Sequence, residues 1–410
     1  MVKPNINLKI PFGTLTVNQF AVDSINQALI NNNLTCGKFV RKFENEFAEI
    51  CNVSEAVAVS SGTDALILAL SVLYDLGAER GDEIILPALS FVATGNAVLH
   101  AGFKPVFVDI VPSTLNINEK NIEPLINNKT RAILPVHLMG KPAEMDKICS
   151  IARKHKLLVI EDAAEAHGAF YKGKSLGSIG DMGAFSTYAA HIISTIEGGI
   201  ITTNNEAYAK ILRSLRSHGR SCTCKTCVMN VGELYCAKRF GDQKYEDIRF
   251  IFERIGFSSK MNELEAAVGL GNIQEYDNIL NKRYLNLKHG MKLIEKLQPF
   301  LYTIEEAPYE KIGPHALPII IGEKATFTRK QLINYLNEYH IDSRTLFSSI
   351  PTQCPGFKFL HYAHGDFPNA EYIGMHGIHI GVHQNLTTMH MDYLFEVLQK
   401  FLIEYQHKFS

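Results

Sequence analysis

Nowhere in the 410 residues is there a run of about 18 apolar residues, the length a helical bilayer crossing needs, so no membrane span is expected. The opening stretch MVKPNINLKIPFGTL also lacks an apolar core of signal-peptide length, which points to a cytoplasmic protein. Charge of one sign is not in excess: 41 Lys and Arg against 42 Asp and Glu leave a formal net charge of −1. That balance gives no general electrostatic drive toward nucleic acid or an anionic membrane, so any phosphate site must be built locally. Repeats, low-complexity tracts and Pro/Gly/Ser-rich linkers are missing too, and a domain boundary must fall inside ordinary folded composition. Cysteine is sparse, and eight in so long a chain do not suit a disulfide framework. Four of them, Cys222, Cys224, Cys227 and Cys236, nevertheless crowd into fifteen positions, which suggests a metal-binding or redox loop.

What the chain does have is a 46% hydrophobic content, ample for a core, and a length beyond the usual single domain. Short apolar runs, AVAVS (56–60), EIILP (83–87), PVFVDI (105–110), AILPVH (132–137) and LLVIED (157–162), alternate with helix-like stretches such as TDALILALSVLYDLG. The alternation predicts an α/β fold on a mostly parallel sheet. After residue 260 the pattern changes to long amphipathic helical stretches, then ALPIIIG and a further helix over 327–339. A large domain over 1–260 and a smaller C-terminal domain over 261–410 are expected.

Chemistry gathers at the ends of the predicted strands. SSGTDALILAL follows a strand and opens a helix, so Gly62 and Thr63 present backbone N–H groups at a positive helix terminus, a setting for phosphate. The plain alternative is an ordinary N-cap. Asp162 closes LLVIED, where α/β sheets carry ligand groups. A carboxylate there can keep a pyridine nitrogen protonated and make the ring an electron sink, the chemistry of a pyridoxal cofactor; the alternative is a solvated strand-end acid. Phe91, after EIILP, can cover a ring face, although most loop aromatics simply pack.

The segments LTCGKFVRKFENEF, SSGTDALILAL, PALSFVATGNAVLHAGFKPVFVDI, VHLMGKPAEM, VIEDAAEAHGA, IEGG, FPNAEYIG and IGVHQNLT together cover nearly the whole chain. They resemble the DegT/DnrJ/EryC1/StrS sugar aminotransferase and dehydratase family of fold-type I pyridoxal 5′-phosphate (PLP) enzymes. The resemblance implies an aspartate-aminotransferase-like large domain with a mixed, mostly parallel sheet, a smaller α+β C-terminal domain, and a homodimer with shared active sites. It also implies phosphate contacts from Gly62, Thr63 and Ser186, a pyridinium partner in Asp162, ring stacking by Phe91, and a hydroxyl contact from Glu165, where many relatives have Gln. In that picture GFSSKMNELEAA reaches into the partner's site, with Ser258 standing where the family usually has Asn.

In FSTYAAHIISTIEGGIITT, residues 185–203, the family keeps its Schiff-base lysine; here that position is His191. Imidazole cannot form a stable equivalent of the covalent link, but with an ordinary pKa near ~6.5 it can move protons. The sequence thereby resembles the deoxysugar 3-dehydratase branch, in which histidine replaces lysine and pyridoxamine 5′-phosphate (PMP) is the working cofactor. The implied activity is C3 dehydration of a nucleotide-linked 4-keto-6-deoxyhexose with His191 as base. Two other readings compete. SSGTDAL, HLMGKPAEM and EDAAEAHGA resemble the aminotransferase branch more closely, which favours transamination of a nucleotide sugar or another keto substrate. A non-catalytic protein retaining the fold is the third.

The loop SHGRSCTCKTCVMNVGELYCAKRFGDQ resembles the same dehydratase branch through Cys222, Cys224, Cys236, Lys238, Arg239 and Phe240. One member of that branch holds a [2Fe–2S] cluster with a further cysteine, at whose place this chain has Ala164. Cys227 offers a substitute in a Cys-x-Cys-x2-Cys-x8-Cys set, and iron–sulfur, structural zinc and no metal all remain open. A cluster would call for a reductase as electron donor; without one, L-glutamate would re-aminate the cofactor. His137 reads as structural, and Arg220, Arg239 and Arg344 as possible diphosphate contacts. His379 and His383 are four apart but strand-borne, unlike the helical pair of a zinc protease.

Overall fold

The computed structural model describes residues 8–225, 227–230, 235–240, 247–347 and 351–406. The larger of its two main sheets contains β1 (Glu55–Val59), β2 (Glu83–Pro87), β3 (Lys104–Val108), β4 (Thr130–Ile133), β5 (Leu158–Asp162), β6 (Met182–Ser186) and β7 (Gly199–Thr203). Their spatial order is β1-β7-β6-β5-β4-β2-β3. Only β7 runs against its neighbours; the other pairings are parallel. Strand β2 is buried at every position, as a strand covered on both faces must be, which is why EIILP reads as a continuous apolar run.

Eleven α-helices accompany the sheets among the described residues: α1 (Gln19–Ile30), α2 (Lys38–Cys51), α3 (Gly62–Ser71), α4 (Val92–His100), α5 (Met145–His155), α6 (Glu206–Leu215), α7 (Glu263–Gln274), α8 (Tyr276–Ile294), α9 (Arg329–Glu338), α10 (Pro368–His376) and α11 (Thr388–Gln406). Helix α2 shows how sequence period becomes packing. Phe39, Val40, Phe43, Phe47 and Cys51 recur at helical spacing and form one buried face. Its first turn cannot cap itself, because the N-cap residue Gly37 has no side chain. The cap comes from α7: the buried Glu263 carboxylate accepts the N–H groups of Gly37, Phe39 and Val40 at 2.8, 3.0 and 2.9 Å.

The smaller sheet joins β8 (Leu301–Tyr302), β9 (Ala316–Ile321), β10 (Ser343–Thr345) and β11 (Gly377–Gly381) in the order β8-β9-β11-β10, all antiparallel. The helix expected over 327–339 is α9, and ALPIIIG supplies β9. Helix α7 packs against α1 and α2, whereas α8 packs against β9 and α11. None of the described helices is long and apolar enough to cross a membrane.

The carboxylate of Glu263 therefore ties α7 to α2 across more than two hundred residues of chain. Replacing it by Ala leaves three buried N–H groups without an acceptor, so Glu263→Ala should lose roughly 3 kcal/mol of stability. The check is a lower urea midpoint at an unchanged denaturant slope.

Candidate active site at the carboxyl edge of the sheet

Parallel strands end on one edge of a sheet, and the loops leaving that edge converge. Here the ends of β1, β2, β5 and β6 deliver Gly62, Phe91, Asp162 and Ser186 to one cavity of about 510 Å³. Thr63, Glu165 and His191 line it as well. Seven of the eight residues expected to serve catalysis or cofactor binding are thus brought together. The eighth, Ser258, is exposed on a backbone bridge to Ser217, outside this cavity.

Each position has a local cause. Ser61 is the N-cap of α3, its hydroxyl accepting from Asp64 N–H at 3.0 Å, so the ordinary cap is present. A helix's first N–H groups have no intrahelical acceptor, so those of Gly62 and Thr63 stay available to an anion at the cavity wall. Gly62 must be glycine because α3 starts hard against the end of β6: a Cβ there would lie 2.7 Å from Ser186 Cβ. Phe91 precedes α4, is 59% exposed, and lies at the cavity with its ring tilted against that of Phe347, 6.0 Å between centroids.

The acids are anchored by hydrogen bonds from the protein. Asp162 is buried and accepts Thr94 Oγ1–H at 2.8 Å and Ala164 N–H at 3.2 Å. Burial raises its pKa, which expresses the cost of a desolvated carboxylate and the gain available to a cation beside it. Glu165 accepts Met139 N–H at 2.7 Å, and burial pushes its carboxyl up to about 8. At neutral pH it is protonated and can donate a hydrogen bond as the amide of Gln would.

His191 follows β6 and its pKa is pushed down to about 3, first by burial and then by the neighbouring His167 and Arg283 charges. The ring is a free base at neutral pH. Its Nδ1 is buried and has no hydrogen-bond partner among the described residues. His315 stacks obliquely at 5.1 Å between ring centroids, its own pKa well below 6.5 through burial, and its Nε2 lies 3.6 Å from Glu165 Oε1.

His315 and His379, with Phe12 and Phe347, complete the cavity from distant parts of the chain. Sequence reasoning missed His315, which stands just before β9 with no local motif around it, and read His379 only as a failed zinc pair. His137 also lines the cavity, and it is buried with both ring nitrogens bonded, Nε2 on Glu161 Oε2 at 2.9 Å and Nδ1 accepting Ala143 N–H at 3.2 Å. Arg239 pairs with Asp247 and Arg344 with Asp342, and neither lines this cavity; nor does Arg220. Cys222 and Cys224 have sulfurs 3.8 Å apart. Among the described residues, no three His, Cys, Asp or Glu side chains are placed to share a metal, so the iron–sulfur and zinc expectations find no support.

The residues fit the expected cofactor on three counts: a buried carboxylate without a cation, free N–H groups at a helix start, and an unpartnered imidazole nitrogen. The comparisons agree. The chain is 35% identical to GDP-perosamine synthase of Caulobacter vibrioides over 90% of this chain and 91% of the relative. Two solved structures of GDP-4-keto-6-deoxymannose-3-dehydratase align with a TM-score of 0.83, each match spanning 95% of this chain and all of the other. One, 30% identical, is a histidine-to-asparagine variant with bound GDP-perosamine, and the other, 28% identical, holds a trapped PLP–glutamate geminal diamine. Residues 16–399 match the DegT/DnrJ/EryC1/StrS aminotransferase family, and the chain belongs to it.

Proposed function

We propose that this chain uses PMP, in exchange with PLP, to remove the C3 hydroxyl of a nucleotide-linked 4-keto-6-deoxyhexose, with L-glutamate as the amino donor. One observation carries the reading. None of the described residues lining the cavity is a lysine, and His191 with its unpartnered Nδ1 lines it instead. A free-base imidazole can take and return a proton but cannot retain the cofactor covalently.

The roles follow from the placements above. Gly62, Thr63 and Ser186 would hold the cofactor phosphate, and Asp162 would pair with the ring nitrogen. Phe91 would cover the ring, and protonated Glu165 would donate to its hydroxyl. The cofactor, when bound, supplies an electron sink. His191 carries the mobile proton at Nδ1, and its depressed pKa keeps that nitrogen available down to acidic pH. In the homodimer we propose, Ser258 would serve the partner's cavity.

The 35% identity to a GDP-perosamine synthase favours a second reading, transamination at the same site. Products decide between the two. Incubation with PMP, L-glutamate and a GDP-linked 4-keto-6-deoxyhexose should yield a 3-deoxy-4-keto sugar by mass spectrometry and NMR; an amino sugar as the main product would reject dehydration. His191→Asn should lower turnover by about 10²–10⁴-fold while cofactor absorbance after loading is retained.

Glu165 supplies a prediction in pH. Its folded pKa of about 8 lies above the ordinary value of 4.5, so the folded state binds this proton more tightly than the unfolded chain. The resulting stability is complete below the lower value and is lost as pH rises through the upper one. In cofactor-free protein, the stability advantage of Glu165→Gln over the parent should therefore grow between about pH 5 and about pH 8 in urea titrations.

A further inference from the structure

A second cavity, of about 230 Å³, lies beside the cysteine loop and shares no lining residue with the first. Seven of its lining side chains are cations, and five of them are paired with carboxylates, two pairs of cations sharing one carboxylate each. Arg41 and Arg216 share Glu44, with contacts of 2.7 and 2.6 Å. Arg213 and Lys225 share Glu55, and Arg249 is held by Asp247. Arg220 and Lys260 are left over: among the described residues neither has an acidic partner.

Among the described residues, the seven lining cations thus meet three carboxylates, of which only Glu44 itself lines the hollow. Two guanidinium groups there are incompletely bonded: among the described residues, the buried Nε atoms of Arg213 and Arg220 have no acceptor, and Arg213 is only 4% exposed. An unbonded guanidinium N–H away from water is costly, and an oxyanion is the group that satisfies it best. Thr35 and Ser217, each carrying a hydroxyl, also line the cavity.

We infer that this cavity is a binding site for a phosphate or diphosphate group, with Arg220 and Lys260, which no carboxylate among the described residues pairs, as its principal cations. The diphosphate of a nucleotide sugar and a free inorganic anion present the same chemistry. The inference does not depend on which reaction the first cavity performs.

The test uses cofactor-loaded protein, so that the phosphate position of the first cavity is filled, and inorganic diphosphate as the probe in titration calorimetry. Binding should be measurable for the parent and about tenfold weaker for Arg220→Gln. Lys260→Gln, a change at an exposed side chain, should weaken it in the same direction, and it decides the matter if Arg220→Gln fails to fold. A raised KM for the nucleotide sugar at unchanged kcat in these variants assigns the anion to the substrate; weakened diphosphate binding at unchanged KM assigns it to a free ligand. No heat with the parent protein, or equal affinity in parent and variants, overturns the site.

Discussion

The candidate active site is governed by desolvation at the carboxyl edge of a parallel sheet. Asp162, Glu165, His191 and His315 line one cavity in which burial drives each toward its neutral form. In water the two carboxyls would be ionised and the two imidazoles partly protonated. Here a protonated acid and a free base coexist at one pH, so the site holds both a hydrogen-bond donor and a proton acceptor. Asp162 differs from Glu165 in accepting two hydrogen bonds while lacking a cation, which prepares it for a positively charged ring nitrogen.

The scaffold makes that arrangement affordable. Strands β4, β5 and β6 are hydrogen-bonded side by side, so their ends cannot drift relative to one another. Helix α3 meets β6 so closely that only glycine fits at Gly62, and the same closeness brings the helix start beside Ser186. Buried polar groups next to the cavity are satisfied elsewhere: Glu161 accepts the N–H groups of Gly177, Ile179 and Gly180 as well as holding His137. The buried atoms left without a partner among the described residues therefore stand out, and they include Nδ1 of His191, His315 and His379.

Much of this was legible along the chain because its causes are local. A strand buried on both faces must be an apolar run, a helix start after a strand must show a cap, and a strand-end acid is next to its strand in sequence. These features predicted the α/β sheet and its mostly parallel order, and of the eight residues expected to serve catalysis or cofactor binding all but Ser258 share a cavity. The cysteine crowding was equally visible, but closeness in sequence does not arrange thiols around a metal. Cys222 and Cys224 are near neighbours, and the described residues gather no third ligand with them.

The sequence by itself determined the fold class, the strand-end constellation and the imidazole in place of an amine, because each depends on short-range pattern or on residue identity. Only the tertiary structure decided what surrounds them. His315, His379, Phe12 and Phe347 reach the cavity from both ends of the chain, and Glu263 caps a helix that begins some two hundred residues earlier. The sorting of cations into paired and unpaired, which sets Arg220 apart from Arg213 and Arg216, is likewise invisible in composition. Burial and ion pairing depend on which distant segments share a space, and that is fixed only when the sheet and its helices close on one another.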